Sequence, residues 1–208
     1  MTTTLRSPRL AGLVRLATER AAALRSERCE LCRAPVPPEH RHILDVSSRE
    51  PLCACRACAV LFDRDAAGGD HFRLIPDRRQ RIRGVGLDDA WDDLGVPVGL
   101  AYFVATGRGE ILAVYPGPAG VIESTVDADV WHRFATRDDV VASMRPDVEG
   151  LLVRRLRGTR EQWVVPIDDC YRLVAVLRSH WRGMTGGDEV WREVDRFFDA
   201  LEQEGTAP

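Results

Sequence analysis

Lysine is absent: all 29 basic residues of this 208-residue chain are arginine. That excludes Schiff-base catalysis and a P-loop, both of which require a lysine amine. The bias reads as codon usage in a GC-rich genome rather than selection for the bidentate guanidinium fork. Long apolar runs are also missing. The longest stretches, such as Val96 to Ala105, fall well short of the roughly 20 residues that span a bilayer. The start, Met1-Thr-Thr-Thr-Leu-Arg6, lacks the apolar core of a signal peptide. A cytoplasmic protein without a membrane segment is expected. An excess of one charge is lacking too, since 29 basic residues meet 32 acidic ones for a net −3. There is no global attraction to nucleic acid or anionic lipid. No G-x-S-x-G, H-E-x-x-H, G-x-x-x-x-G-K-[ST] or strand-borne G-x-G-x-x-G occurs, and Gly84-Val-Gly86 is too short to count.

What is present is ordinary globular composition, 45% hydrophobic and 29% charged, with one chemical concentration. Five of the six cysteines lie between residues 29 and 58. Cys29-Glu-Leu-Cys32 and Cys55-Arg-Ala-Cys58 are Cys-x-x-Cys pairs with 22 residues between them. Each such turn points two sulfurs at one ion, and two turns complete a tetrahedral thiolate shell. In a reducing compartment this favours metal over disulfides, and five clustered cysteines suit a disulfide framework badly. The expected ligands are therefore Cys29, Cys32, Cys55 and Cys58, and the expected metal is structural zinc. Iron in the same cage, as in rubredoxin, is the alternative, followed by an iron–sulfur cluster or a redox dithiol. Cys53 is open to three readings: a ligand in place of Cys55, a small buried apolar residue, or a reactive thiol. His40 and His42 could replace a cysteine ligand, although four thiolates already suffice. Cys170 reads as inert core.

The chain reads as α+β. Ser7-Pro8 opens an amphipathic helix, with Leu10, Leu13, Val14, Ala17, Ala21 and Leu24 at helical spacing to about Ser26. Together with the Cys₄ module it forms residues 1–62. Within the module, His42–Val46 and Pro51–Ala54 flank the polar turn Ser47-Ser48-Arg49-Glu50 as a hairpin, giving a zinc-ribbon-like frame. Cys58–Phe62 reads as a short apolar turn or helix beside the site. Asp63 to Gly69 is the linker. Residues 70–208 read as an antiparallel-sheet α+β domain. Its strand candidates are His71–Ile75, then Gly99–Val104 with Glu110–Tyr115, and Gly150–Val153 with Gln162–Ile167. Helices are expected over 127–144, 168–181 and 188–204, the last presenting Val190, Val194, Phe197, Phe198 and Leu201 on one face. The acid pairs Asp88-Asp89, Asp92-Asp93, Asp138-Asp139 and Asp168-Asp169 do not share a helix face, and the last two read as helix caps. The densest basic run, Arg78-Arg79-Gln-Arg81-Ile-Arg83, reads as a solvated loop or strand edge. Beside a zinc ribbon it also raises a nucleic-acid reading.

Cys53-Ala-Cys-Arg-Ala-Cys-Ala-Val-Leu-Phe62 after Cys29-Glu-Leu-Cys32 resembles the N-terminal signature of an uncharacterised bacterial family, a domain of unknown function. Val98–Phe103, Val114–Gly120, Pro146–Val153, Val165–Val174 and Trp181–Trp191 resemble its C-terminal half. The resemblance covers roughly residues 8–200. It implies a context, genes beside those of nickel–iron uptake hydrogenases, and it brings no catalytic residues. The expected function is a non-enzymatic, zinc-stabilised accessory protein for hydrogenase assembly, maturation or coupling. A hydrogenase subunit or maturation factor would be its protein partner, met by a surface around Tyr115 to Gly120. The alternatives are a rubredoxin-like iron electron carrier and a zinc-ribbon nucleic-acid binder using Arg78 to Arg83; nucleic acid is not the expected partner.

Overall fold

The computed structural model describes residues 27–63, 69, 71–83, 91–117, 120–156 and 158–205. The helix expected up to Ser26 and most of the expected linker lie outside them. The chain divides into two compact units, residues 1–74 and 75–208. The described residues are α+β, and every strand pairing among them is antiparallel.

In the first unit, β1 (Arg41–Asp45) and β2 (Glu50–Ala54) form the expected hairpin, with His42 opposite Cys53 and Ile43 opposite Leu52. Asp45 builds its turn. One carboxylate oxygen accepts from Ser47 N (2.9 Å), Ser47 Oγ (2.6 Å) and Ser48 N (3.3 Å). The Ser47 hydroxyl is the main reason the Asp45 carboxyl titrates below its ordinary value. Helix α1 (Arg56–Leu61) follows. Strand β3 (Phe72–Leu74) then pairs with the free edge of β1, giving the order β2-β1-β3. The sequence reading placed this strand with the second part of the chain. Its three residues fit either sheet by pattern, and the pairing of Leu74 with Ile43 joins two buried side chains here. Among the described residues of the unit, Ile43, Ala54, Ala59 and Leu74 form a small buried cluster, with Leu31, Cys58, Phe62 and Phe72 packed around them.

Among the described residues, the second unit holds a six-stranded sheet in the order β4-β9-β8-β5-β6-β7. Its strands are β4 (Gln80–Arg81), β5 (Leu100–Ala105), β6 (Ile111–Gly117), β7 (Gly120–Val126), β8 (Glu149–Leu156) and β9 (Thr159–Pro166). The helices are α2 (Ala128–Ala135), α3 (Asp139–Ala142), α4 (Ile167–His180) and α5 (Gly187–Glu204). The two hairpins β5–β6 and β8–β9 arise where the apolar runs and their Gly-containing turns place them. Strand β4 lies at an edge of the sheet within the basic run read as a loop or strand edge, whereas β7, which carries no apolar run, was not anticipated. The single helix expected over 127–144 is two. Asp127 caps α2 by accepting from the Asp129 and Val130 N–H groups, and Asp138 caps α3 by accepting from Val140 and Val141.

Both faces of the sheet's centre are covered. On one face Phe103, Leu151, Val153 and Val164 pack against Trp131, Phe134 and Val141 and against Trp91 and Leu94. On the other lie α4 and α5, where the Arg154 guanidinium sits 4.3 Å from the Phe198 ring centre. Gly150 allows close packing of α4 on β8, since a Cβ there would stand 2.7 Å from Cys170 Sγ. No described helix is long and apolar enough to cross a membrane.

Candidate metal centre

The first cysteine pair sits in a turn made by local backbone bonding. Cys29 N donates to Ala34 O (2.8 Å), Arg33 N donates to Cys29 O (2.8 Å), and Arg33 adopts a left-handed φ of 64°. The second pair straddles the start of α1, with Cys55 as its N-cap and the Cys58 N–H directed at Cys55 Sγ (3.5 Å). The β1–β2 hairpin carries the chain from one turn to the other. The turns are clipped together: Glu30 N donates to Cys53 O (2.9 Å), and Glu30 Oε2 accepts from Cys53 N (2.7 Å).

This brings the four expected ligands together. The Sγ atoms of Cys29, Cys32, Cys55 and Cys58 all lie within 4.8 Å of one another, and Cys32 and Cys55 are 3.5 Å apart. Cys29 is buried, Cys55 and Cys58 are half-buried and Cys32 is exposed. All six cysteines are thiols and none forms a disulfide. Their protons are unevenly held. Burial opposes ionisation of Cys29, but N–H donors at Cys55, Cys32 and Leu31 outweigh it and bring the thiol down to about 6. Burial, then the neighbouring thiols, pushes Cys58 up to about 12. Without a cation the cluster cannot carry four negative charges, and a divalent ion removes that repulsion. Four sulfurs at this spacing can hold one metal ion.

Cys53, His40 and His42 do not join that shell. Their ligand atoms converge on one another, also within 4.8 Å. Facing positions on β1 and β2 put His42 and Cys53 side by side. Cys53 is half-buried, and burial followed by the charges of Glu27 and Glu30 raises its thiol. Cys53 therefore groups with the two histidines rather than with the four-cysteine cluster, and it is only partly buried. Cys170 is fully buried and held well above the ordinary thiol value by that burial.

The basic run is drawn inward rather than solvated. Arg78 grips Glu149, which is 1% exposed, through Nε–Oε1 and Nη2–Oε2 contacts of 2.8 Å each. Arg79 binds the buried Asp169 through Nε (2.6 Å) and Nη2 (3.2 Å). Arg81 lies between Glu202 (2.5 Å) and Glu161 (3.5 Å) and stacks over Trp163. Asp169, expected as a helix cap, serves instead as this ion-pair partner in the first turn of α4. Three of the four arginines offered for nucleic acid thus fasten β4 and the segment before it to buried carboxylates. Of the surface expected around Tyr115 to Gly120, Pro116 and Gly117 are buried within β6, paired with Val121 and Gly120 of β7, whereas Tyr115 is half-buried and Gly120 is exposed.

These features define a class: a two-unit α+β protein whose first unit carries a four-cysteine cluster compatible with a zinc-ribbon-like module and whose second, among the described residues, is built on a six-stranded antiparallel sheet. Within it the chain belongs to a family of unknown function, DUF5947, which matches residues 28–205. No curated protein and no solved structure matches the chain.

Proposed function

We propose that this protein is a non-enzymatic accessory factor whose first unit is held together by a structural zinc ion on Cys29, Cys32, Cys55 and Cys58. It would act in the cytoplasm in the assembly, maturation or coupling of a nickel–iron hydrogenase. The observation that carries the metal reading is the convergence of four thiols within 4.8 Å from turns 22 residues apart. Four thiolates leave no open position, the mark of a structural site rather than a catalytic one. The ion would also stabilise the module. Among the described residues the buried cluster around Ile43, Ala54, Ala59 and Leu74 is small, and zinc binding in such modules supplies on the order of 10 kcal/mol of folding energy.

The hydrogenase context rests on the sequence resemblance set out above. The docking role has its own support. Val60 and Leu61 on α1 are 68% and 58% exposed, beside Cys58. A short helix anchored by the metal and presenting two apolar side chains is suited to protein contact. Affinity capture from cells that express the hydrogenase tests this. Wild-type protein should recover a hydrogenase subunit or maturation factor, and Val60→Asp with Leu61→Asp should lose it while keeping the metal. Capture that never recovers either protein counts against the role.

A further inference from the structure

We propose a second metal site in the first unit, formed by His40, His42 and Cys53, that binds a borderline transition-metal ion such as Zn²⁺ through two imidazoles and one thiolate. The ligand atoms already lie within 4.8 Å of one another, and the fold explains why. His42 and Cys53 are cross-strand partners on β1 and β2, and the His40 ring packs edge-on against His42 with centroids 4.8 Å apart. The state of His40 supplies an independent indication. Its side chain is 6% exposed, and Nδ1 lies 2.9 Å from Pro37 O, with the Glu27 carboxylate 3.6 Å away. A proton on Nδ1 satisfies that carbonyl and leaves a lone pair on Nε2, which is buried without a hydrogen-bond partner. A buried polar atom in that state is costly. An imidazole that donates one nitrogen to a carbonyl and offers the other is the usual arrangement of a metal-ligating histidine. Glu30 fixes the third ligand by binding the Cys53 backbone N–H at 2.7 Å.

Three ligands distinguish this site from the four-cysteine centre. A tetrahedral ion here keeps one position for water or an exogenous ligand, so the ion is exchangeable and chemically accessible where the other is closed. The second site is therefore expected to bind more weakly and to empty first under a chelator.

The test is a Zn²⁺ titration of the full chain in competition with a chromophoric chelator, with bound metal measured directly. Wild type should take up two equivalents. His42→Ala and Cys53→Ser should each take up one, and so should His40→Gln, which alters no strand residue. Uptake by wild type of a single equivalent that His42→Ala, Cys53→Ser and His40→Gln all retain, or of two by the variants, would overturn the proposal. The proposed zinc at the four cysteines fails differently: Cys29→Ser with Cys32→Ser would then leave the metal count unchanged.

Discussion

Glu149 is a carboxylate with almost no access to water, and its charge is met by the Arg78 fork and the Arg145 backbone N–H at 2.7 Å. Removing one partner of such a pair strands the other's charge, at a cost of about 3–5 kcal/mol. Arg78→Ala should therefore lower stability by that order, measured as a shift in urea midpoint. Arg78→Lys should recover only part of it, because a single ammonium cannot span both oxygens. A midpoint unchanged in Arg78→Ala would show that the pair is not structural. Asp169 carries an opposing tendency. Burial raises its carboxyl above the ordinary range despite Arg79, whereas Arg79 itself is stabilised as a cation by Asp169. The bonds to Arg79 are what keep so buried a group in place, so its loss should also destabilise. The nucleic-acid reading of this arginine run was attractive in the sequence because adjacency is visible there and partners are not. Glu149, Asp169 and Glu202 lie 71, 90 and 121 residues from the arginines they bind.

At the scale of elements, legibility followed apolar patterning. Strands β5, β6, β8 and β9 announce themselves through continuous apolar runs, because both faces of the central sheet are covered. Strand β7 has one buried residue, Val126, and β4 has two residues in all, so neither leaves a periodic trace. The contact of α4 with β8 was invisible for another reason, since it depends on an atom that is missing. Gly150→Ala would place a methyl 2.7 Å from Cys170 Sγ, and overpacking of this kind costs about 1–3 kcal/mol. Combining it with Cys170→Ala should restore more than half of that loss in a double-mutant cycle, whereas strictly additive losses would mean that the contact does not limit packing. The two cysteine turns show a second kind of legibility. Spacing alone marked all four residues that converge, because a Cys-x-x-Cys turn is local chemistry. The His40–His42–Cys53 grouping was not legible, since it depends on the register of β1 against β2.

Protonation of the turns sets a pH dependence. Protons compete with metal for thiolates, so apparent zinc affinity should rise with pH, most steeply while the high-pKa thiols, Cys58 above all at about 12, must be deprotonated by the metal itself. Cys29, buried yet brought down to about 6 by backbone N–H donors, is the thiol readiest to give up its proton before metal arrives. Zinc uptake near pH 7.5 should therefore release fewer than four protons from the four-cysteine centre. Isothermal titration in buffers of different ionisation enthalpy measures this, and a pH-independent affinity would contradict thiolate ligation.

For the whole molecule, the two units differ in how they are held together. The second has a layered core of large side chains, with Trp163, Phe103, Phe134 and Phe198 almost fully buried. The first has the small cluster around Ile43 and, on our reading, a metal. Chelation should then remove amide-exchange protection from residues 41–54 while leaving β5, β8 and β9 protected. Simultaneous loss in both units, or loss in neither, would contradict a metal confined to the first unit as its structural support.

The most direct measurement is elemental analysis with an absorption spectrum, on protein purified anaerobically without a metal-chelating column. Zinc at one equivalent or more per chain, no visible band, and loss of one equivalent in Cys29→Ser with Cys32→Ser is the expected result. Metal-free folded protein would contradict the structural-zinc centre. So would iron with a thiolate charge-transfer band, which would make the same four cysteines the ligands of an electron carrier.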